Sequence, residues 1–346
     1  MLLPIVRHPA RAGVVLDFLT PALCLLLLVV GMGATPELLE RLGPMRASLQ
    51  SPYAAVQRIA HIEIGIIRAA CLALGLSIGA LWFAWPRLQR ASWLRRITLD
   101  PPALPMASWS RATILRLPLL LILSCIAACL AFVLLAPSRL SPAAFAAIVD
   151  EDGLIEQATA GLFLVAAIAA LTAANRWPTL RHRTTLALMA VGFLACVGEE
   201  ISWGQRLLDF ATPQALGDIN VQGEANLHNS FGYAADHLFI AGVLLLGFVL
   251  PASAARFRTV HRAADRLGLP VASPSLAVGF LLVSMLHGWT IYRLVPPTGL
   301  RIAEPRELIS ALGFVILMAE ACLAAGRVRV APRPAGGAAA AALGGS

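Results

Sequence analysis

The sequence predicts an all-α, polytopic transmembrane helix bundle of about eight spans, with both termini cytoplasmic. Three observations carry that prediction. Hydrophobic residues fill 58% of the 346 positions, only 13% are charged, and the mean hydropathy is +0.77, far from the balance of a soluble domain. The apolar residues fall into runs of about 20, the length a helix needs to cross the hydrocarbon core. The 27 basic residues are all arginine, and they gather in alternate connectors.

In chain order, Arg7 and Arg11 precede a first span from about Val14 to Ala34. The run is long for a cleaved signal peptide and reads as a retained helix. A second span, Ala60 to Trp85, begins near His61, Glu63 and Arg68, and carries Gly75 and Gly79 at the spacing that lets two helices approach closely. An arginine-rich, proline-broken connector ends this two-span segment, residues 1–112. Residues 113–330 form a six-span core: Ile114 to Ala136, Gly153 to Ala174, Thr185 to Leu208, Phe231 to Leu250, Pro274 to Val295, and Arg306 to Ala325. The Pro, Ala and Gly tail, 331–346, reads as disordered.

Eight spans put both termini on one side. The arginine-rich segments (the N-terminus, 86–113, 175–184, 251–273 and the C-terminus) then share that side, which the positive-inside rule makes cytoplasmic. The net charge of +8 is thereby accounted for by membrane orientation, and no nucleic-acid-binding motif accompanies it. The six cysteines lie inside apolar runs without CxxC or Cys/His spacing and read as small buried hydrophobes.

The opposite face collects the polar residues. Two runs dominate it, Gly198-Glu-Glu-Ile-Ser-Trp-Gly-Gln-Arg206 and Asn220 to Asn229. Ionisable groups in a membrane are costly and point to function or pairing. Helical spacing places Glu199, Ser202, Trp203 and Arg206 on one face of the fifth span, with Glu200 turned about 100° away. The candidates for acid/base chemistry are Glu199, Glu200, Arg206, Glu224, His228 and Asp236. Those for holding a substrate are Glu156, Trp203, Asn220, Gln222, Asn226, Asn229, Trp289 and Arg293. His228, His237 and His287, with a carboxylate, would suit a divalent metal such as zinc. Glu304 to Glu307 reach the same face. Each feature also has a plainer reading: a Glu199/Arg206 ion pair, hydrogen-bonded interfacial histidines, or belt tryptophans.

The Gly198 to Arg206 run together with Asn226-Leu-His-Asn229 resembles the signature of a family of uncharacterised bacterial multi-pass membrane proteins, over roughly residues 113 to 325. The resemblance implies the bacterial inner membrane and carries no activity with it. CAAX-type intramembrane proteases show Glu-Glu-x-x-x-Arg, whereas here five residues separate Glu200 from Arg206.

Three functions fit the pattern. The first is a hydrolase or group-transfer enzyme on a lipid or lipid-linked substrate, working at the outward, periplasm-facing site. The second is a transporter of a small polar or anionic solute, although no internal repeat is present. The third is a structural or assembly subunit. Membrane lipids are the expected partners in all three.

Overall fold

In the computed structural model the described residues are 21, 24–42, 45–88, 111–149, 153–217, 220, 224–227, 234–286 and 303–330. They are helical, with no strand among them. Five helices are long and apolar enough to cross a membrane: Ala54–Ala80, Leu154–Arg176, Leu180–Glu200, Ala234–Ala255 and Glu304–Gly326. Three shorter apolar helices, Cys24–Gly33, Arg116–Phe132 and Pro274–Ser284, lie where the first, third and seventh spans were expected. The remainder of the expected first and seventh spans and the 331–346 tail lie outside the described residues.

The chain divides into two compact units. One comprises Met1–Thr98 and Ala211–Leu238, the other Leu99–Phe210 and Phe239–Ser346. We label the long helices α1 (Ala54–Leu88), α2 (Arg111–Arg139), α3 (Leu154–Arg176), α4 (Leu180–Glu200), α5 (Ala234–Leu244), α6 (Leu250–Arg256), α7 (Arg258–Leu267), α8 (Pro274–Ser284) and α9 (Ala303–Val330).

In the first unit α1 packs on Cys24–Gly33 through its glycines, as their spacing predicted. A Cβ on Gly75 would lie 3.0 Å from Leu28 Cγ, and one on Gly79 would lie 3.1 Å from Cys24 Sγ. The closeness lets Cys24 Sγ donate to the Gly75 carbonyl at 3.0 Å. Farther along, Arg68 Nε donates to the Gly31 carbonyl at 3.2 Å. A polar side chain in this helix is thus satisfied by a backbone acceptor on its neighbour.

In the second unit α3 packs between α4 and α9. Its inner face is nearly all alanine, with Ala166, Ala167, Ala170 and Ala173 at 0–1% exposure, so neighbouring backbones approach closely. Its outer face shows Leu164, Val165, Ile168 and Leu171 to the surroundings. A helix apolar on every side suits a lipid solvent and would be out of place in water.

Aromatic rings fill the centre. Phe163 stacks on Phe193 (6.3 Å), Phe193 meets Phe314 (5.3 Å), and Phe314 meets Phe280 (5.3 Å). Phe280, fully buried, is seated between two glycines. A Cβ on Gly247 would lie 2.3 Å from its Cγ, and one on Gly313 would lie 2.7 Å from its Cε1. Gly247 lies in a π turn, Leu245–Val249, that joins α5 to α6. A π turn widens the helix by one residue, and here it presents a glycine to the ring.

Candidate functional site

The Gly198 to Arg206 run is a fold-back turn and not the continuous helical face that its spacing suggested. α4 begins at Leu180 and ends at Glu200, so the expected span from Thr185 to Leu208 is shifted towards its N-terminus. Ser202 (φ 47°), Trp203 (φ 54°) and Gly204 (φ 76°) are all left-handed, which stops the helix. Two non-glycine residues in that region cost about 1–2 kcal/mol each. The turn recovers part of this through Trp203. Its indole lies on Gly198, where a Cβ would come within 2.9 Å of Trp203 Cε3, and its Nε1 donates to Glu199 Oε1 at 2.7 Å. Gly198, Glu199, Trp203 and Gly204 are therefore one structural unit. Arg206 follows in the short helix Gln205–Leu208, and its side chain lies outside the described residues.

By ending where it does, α4 leaves Glu200 facing inward, 9% exposed. The antiparallel packing of α3, α4 and α9 brings the N-termini of α3 and α9 to the same end as the C-terminus of α4. Glu156 and Glu304 occupy first turns there, where the helix dipole favours an acid. Glu307 is one turn further along α9. Carboxylate oxygens of Glu200, Glu304 and Glu307 all lie within 4.8 Å of one another. Glu156 and Glu199 also act electrostatically on Glu200, and Glu156 is 8% exposed. Between the two acids of α9, Arg306 is 2% exposed and donates from Nη1 to the Leu286 carbonyl at 3.3 Å.

Three carboxylates this close repel one another, and protons, a bound cation or a neighbouring cationic side chain offset that repulsion. Such a group can take up and release protons, or offer an all-oxygen donor set to a hard divalent ion such as magnesium, manganese or calcium. That donor set differs from the histidine-based zinc set expected from the sequence.

The other described candidates belong to the first unit. Asn220 and Asn226 are each 1% exposed and satisfy each other: Asn220 Nδ2 donates to Asn226 O and Oδ1, both at 2.8 Å. Asn226 Nδ2 donates to Glu224 Oε2 at 2.9 Å, and the Glu224 N–H donates to Asn220 Oδ1 at 3.4 Å. These bonds help give the loop its shape. Asp236 lies in the first turn of α5, a dipole-favoured position. His237 Nδ1 pairs with Glu63 Oε1 of α1, which occupies one nitrogen of a histidine proposed as a metal ligand. Gln222, His228, Asn229, His287, Trp289 and Arg293 lie outside the described residues.

The sequence places Glu304 to Glu307 at the same end as Glu200, as the carboxylate cluster has them, but they are not among its candidate site residues. Their signal is the i, i+3 pair opening an apolar span, which costs too much to be incidental. Comparison of the chain with protein-family models, curated proteins and solved structures finds no match.

Proposed function

We propose that this integral membrane protein is a hydrolase or group-transfer enzyme on a lipid or lipid-linked substrate, with the Glu200, Glu304 and Glu307 carboxylates as its reactive centre. The observation that carries this reading is the gathering of three carboxylates from two helices at one poorly hydrated end of the bundle. Glu200 is the general base, a buried carboxylate at the end of α4 placed to take a proton from water or a hydroxyl. The fold-back turn at Trp203 fixes the end of α4 and so positions Glu200. Glu304 and Glu307, with one oxygen of Glu200, would hold a hard divalent cation, which would supply Lewis acidity to a phosphoryl or acyl oxygen. The full span count of eight, the outward orientation of this end and the bacterial inner membrane belong to the same proposal, supported by the arginine distribution.

The experiment is to incubate the purified protein with total membrane lipid and a magnesium or manganese salt, then follow release of water-soluble headgroups by mass spectrometry. Wild type releases product and E200Q does not. Equal release, or none from either, contradicts the reading.

A second reading, ion-coupled transport, is favoured by Glu320. It lies sixteen residues beyond Glu304 on α9, about 24 Å along the axis. One of its oxygens accepts from the Ser273 N–H at 2.9 Å, while the other is buried without a hydrogen-bond partner among the described residues. Acidic groups towards both ends of one span suit a proton path. Solute uptake into proteoliposomes driven by a pH gradient, and lost in E320Q, would replace the enzymatic reading.

A further inference from the structure

The connector between the Ala234–Ala255 span and the apolar helix Pro274–Ser284 holds a short helix, α7, whose sequence is Arg-Thr-Val-His-Arg-Ala-Ala-Asp-Arg-Leu. Being tied to two apolar segments, it lies at the membrane boundary. Its residues divide sharply. Arg258, Arg262 and Arg266, at i, i+4 and i+8, form one stripe about 12 Å long, while Val260, Ala264 and Leu267 lie on the opposite side.

The structure fixes this helix in place. Arg181 Nη2 bonds Asp265 Oδ2 at 2.9 Å, and Thr185 Oγ1 donates to the Leu267 carbonyl at 2.5 Å. Gly268, at φ 70°, ends α7 against the Arg181 backbone, where a Cβ would lie 2.7 Å from the Arg181 carbonyl. Ala264 is the buried anchor at 2% exposure. The anchors consume Asp265, the one acid of the helix. Arg258, Arg262 and Arg266 all remain exposed, and none forms an ion pair with another described residue. On the side away from the arginines Phe257 (38%) and Leu267 (61%) expose apolar side chains.

We propose that α7 is an interfacial docking surface for anionic phospholipid, in which the arginine stripe binds phosphate headgroups while Phe257 and Leu267 enter the acyl boundary. An arginine face paired with exposed Phe and Leu is the composition of a helix lying in the plane of the membrane. Guanidinium forks match phosphate oxygens in pairs, so the stripe selects phosphate-bearing headgroups with net negative charge. The partner is lipid rather than an acidic protein, because the helix is held between two apolar segments and exposes apolar side chains on the side away from its charges.

The test uses the full chain, reconstituted in vesicles of phosphatidylcholine and phosphatidylglycerol, re-extracted in mild detergent and passed through gel filtration; the two lipids that remain bound are then quantified. Wild type retains phosphatidylglycerol in excess of its bulk share, and the excess falls as salt is raised. Each arginine changed to glutamine lowers the preference roughly five-fold. The lysine triple variant keeps more of the preference than the glutamine triple variant, since charge persists without the fork. Bound lipid in the bulk ratio, in wild type alone, overturns the proposal without relying on any variant. So does an unchanged preference in R258Q/R262Q/R266Q, or displacement of the lipid by millimolar inorganic phosphate.

Discussion

The indole of Trp203 rests on Gly198 and donates to the carboxylate of Glu199, closing the turn that ends α4 next to Glu200. Gly198→Ala puts a methyl group where the ring lies, so the ring must leave or the turn must open. We expect a loss of about 1–3 kcal/mol and a changed near-ultraviolet circular dichroism signal, measured on the detergent-solubilised protein. Trp203→Phe removes the hydrogen bond and part of the ring contact with Gly198, and costs about 1–2 kcal/mol, because the ring is half exposed.

The seat of Phe280 gives a sharper test of the core. Gly313→Ala and Gly247→Ala each drive a methyl into a buried ring with no free direction to move, and each lowers stability by about 1–3 kcal/mol or more. Gly161→Ala, on a helix with open space at that position, leaves the melting temperature within about a degree of wild type. Equal effects from all three would show that the ring is not seated as described.

Asn226→Ala removes one of the two acceptors of buried Asn220, the side-chain Oδ1, and the Nδ2 donor to Glu224 Oε2. The backbone carbonyl still accepts from Asn220, so the cost is about 1–2 kcal/mol rather than the loss of the loop. Thermal unfolding of the variant against wild type measures it. Asn226→Asp, which keeps the acceptor but adds charge beside Glu224, is expected to be worse than Asn226→Ala.

How much of this was legible in the sequence follows from the range of each interaction. The helical class, the glycine contact at Gly75 and Gly79, and the gathering of acids at one end are set by periodicity and by the cost of charge in lipid. All three could be read from single segments. The turn at Trp203 was misread because i, i+4 spacing is satisfied equally by a helix and by a ring folded back onto Glu199. Gly198 and Gly204 were the signal for the second reading. That Glu200 meets Glu304 and Glu307 depends on α4 and α9 packing about α3, which spacing along one segment cannot reveal. The π turn at Gly247 likewise exists for a ring on another helix.

Clustering makes a stability prediction opposite to the one for an ordinary buried ion pair. Glu200→Gln relieves repulsion among three carboxylates, so the variant is as stable as wild type or more stable by about 1 kcal/mol, while losing activity. Were Glu200 instead one half of a buried ion pair, the same change would destabilise by about 3–5 kcal/mol. Melting temperatures measured with and without magnesium separate the cases: the ion raises that of wild type and leaves that of E200Q unchanged.

The most direct measurement of the central claim is manganese binding to the purified full-length protein by electron paramagnetic resonance. Wild type is compared with Glu200→Gln, with Glu304→Gln and with Glu63→Gln, the last being an acid of the first unit outside the cluster. The carboxylate centre predicts one tight ion per chain in wild type and in Glu63→Gln, with binding weakened at least ten-fold in the two cluster variants while they remain folded. No bound ion in wild type, or equal binding in all four proteins, would contradict it.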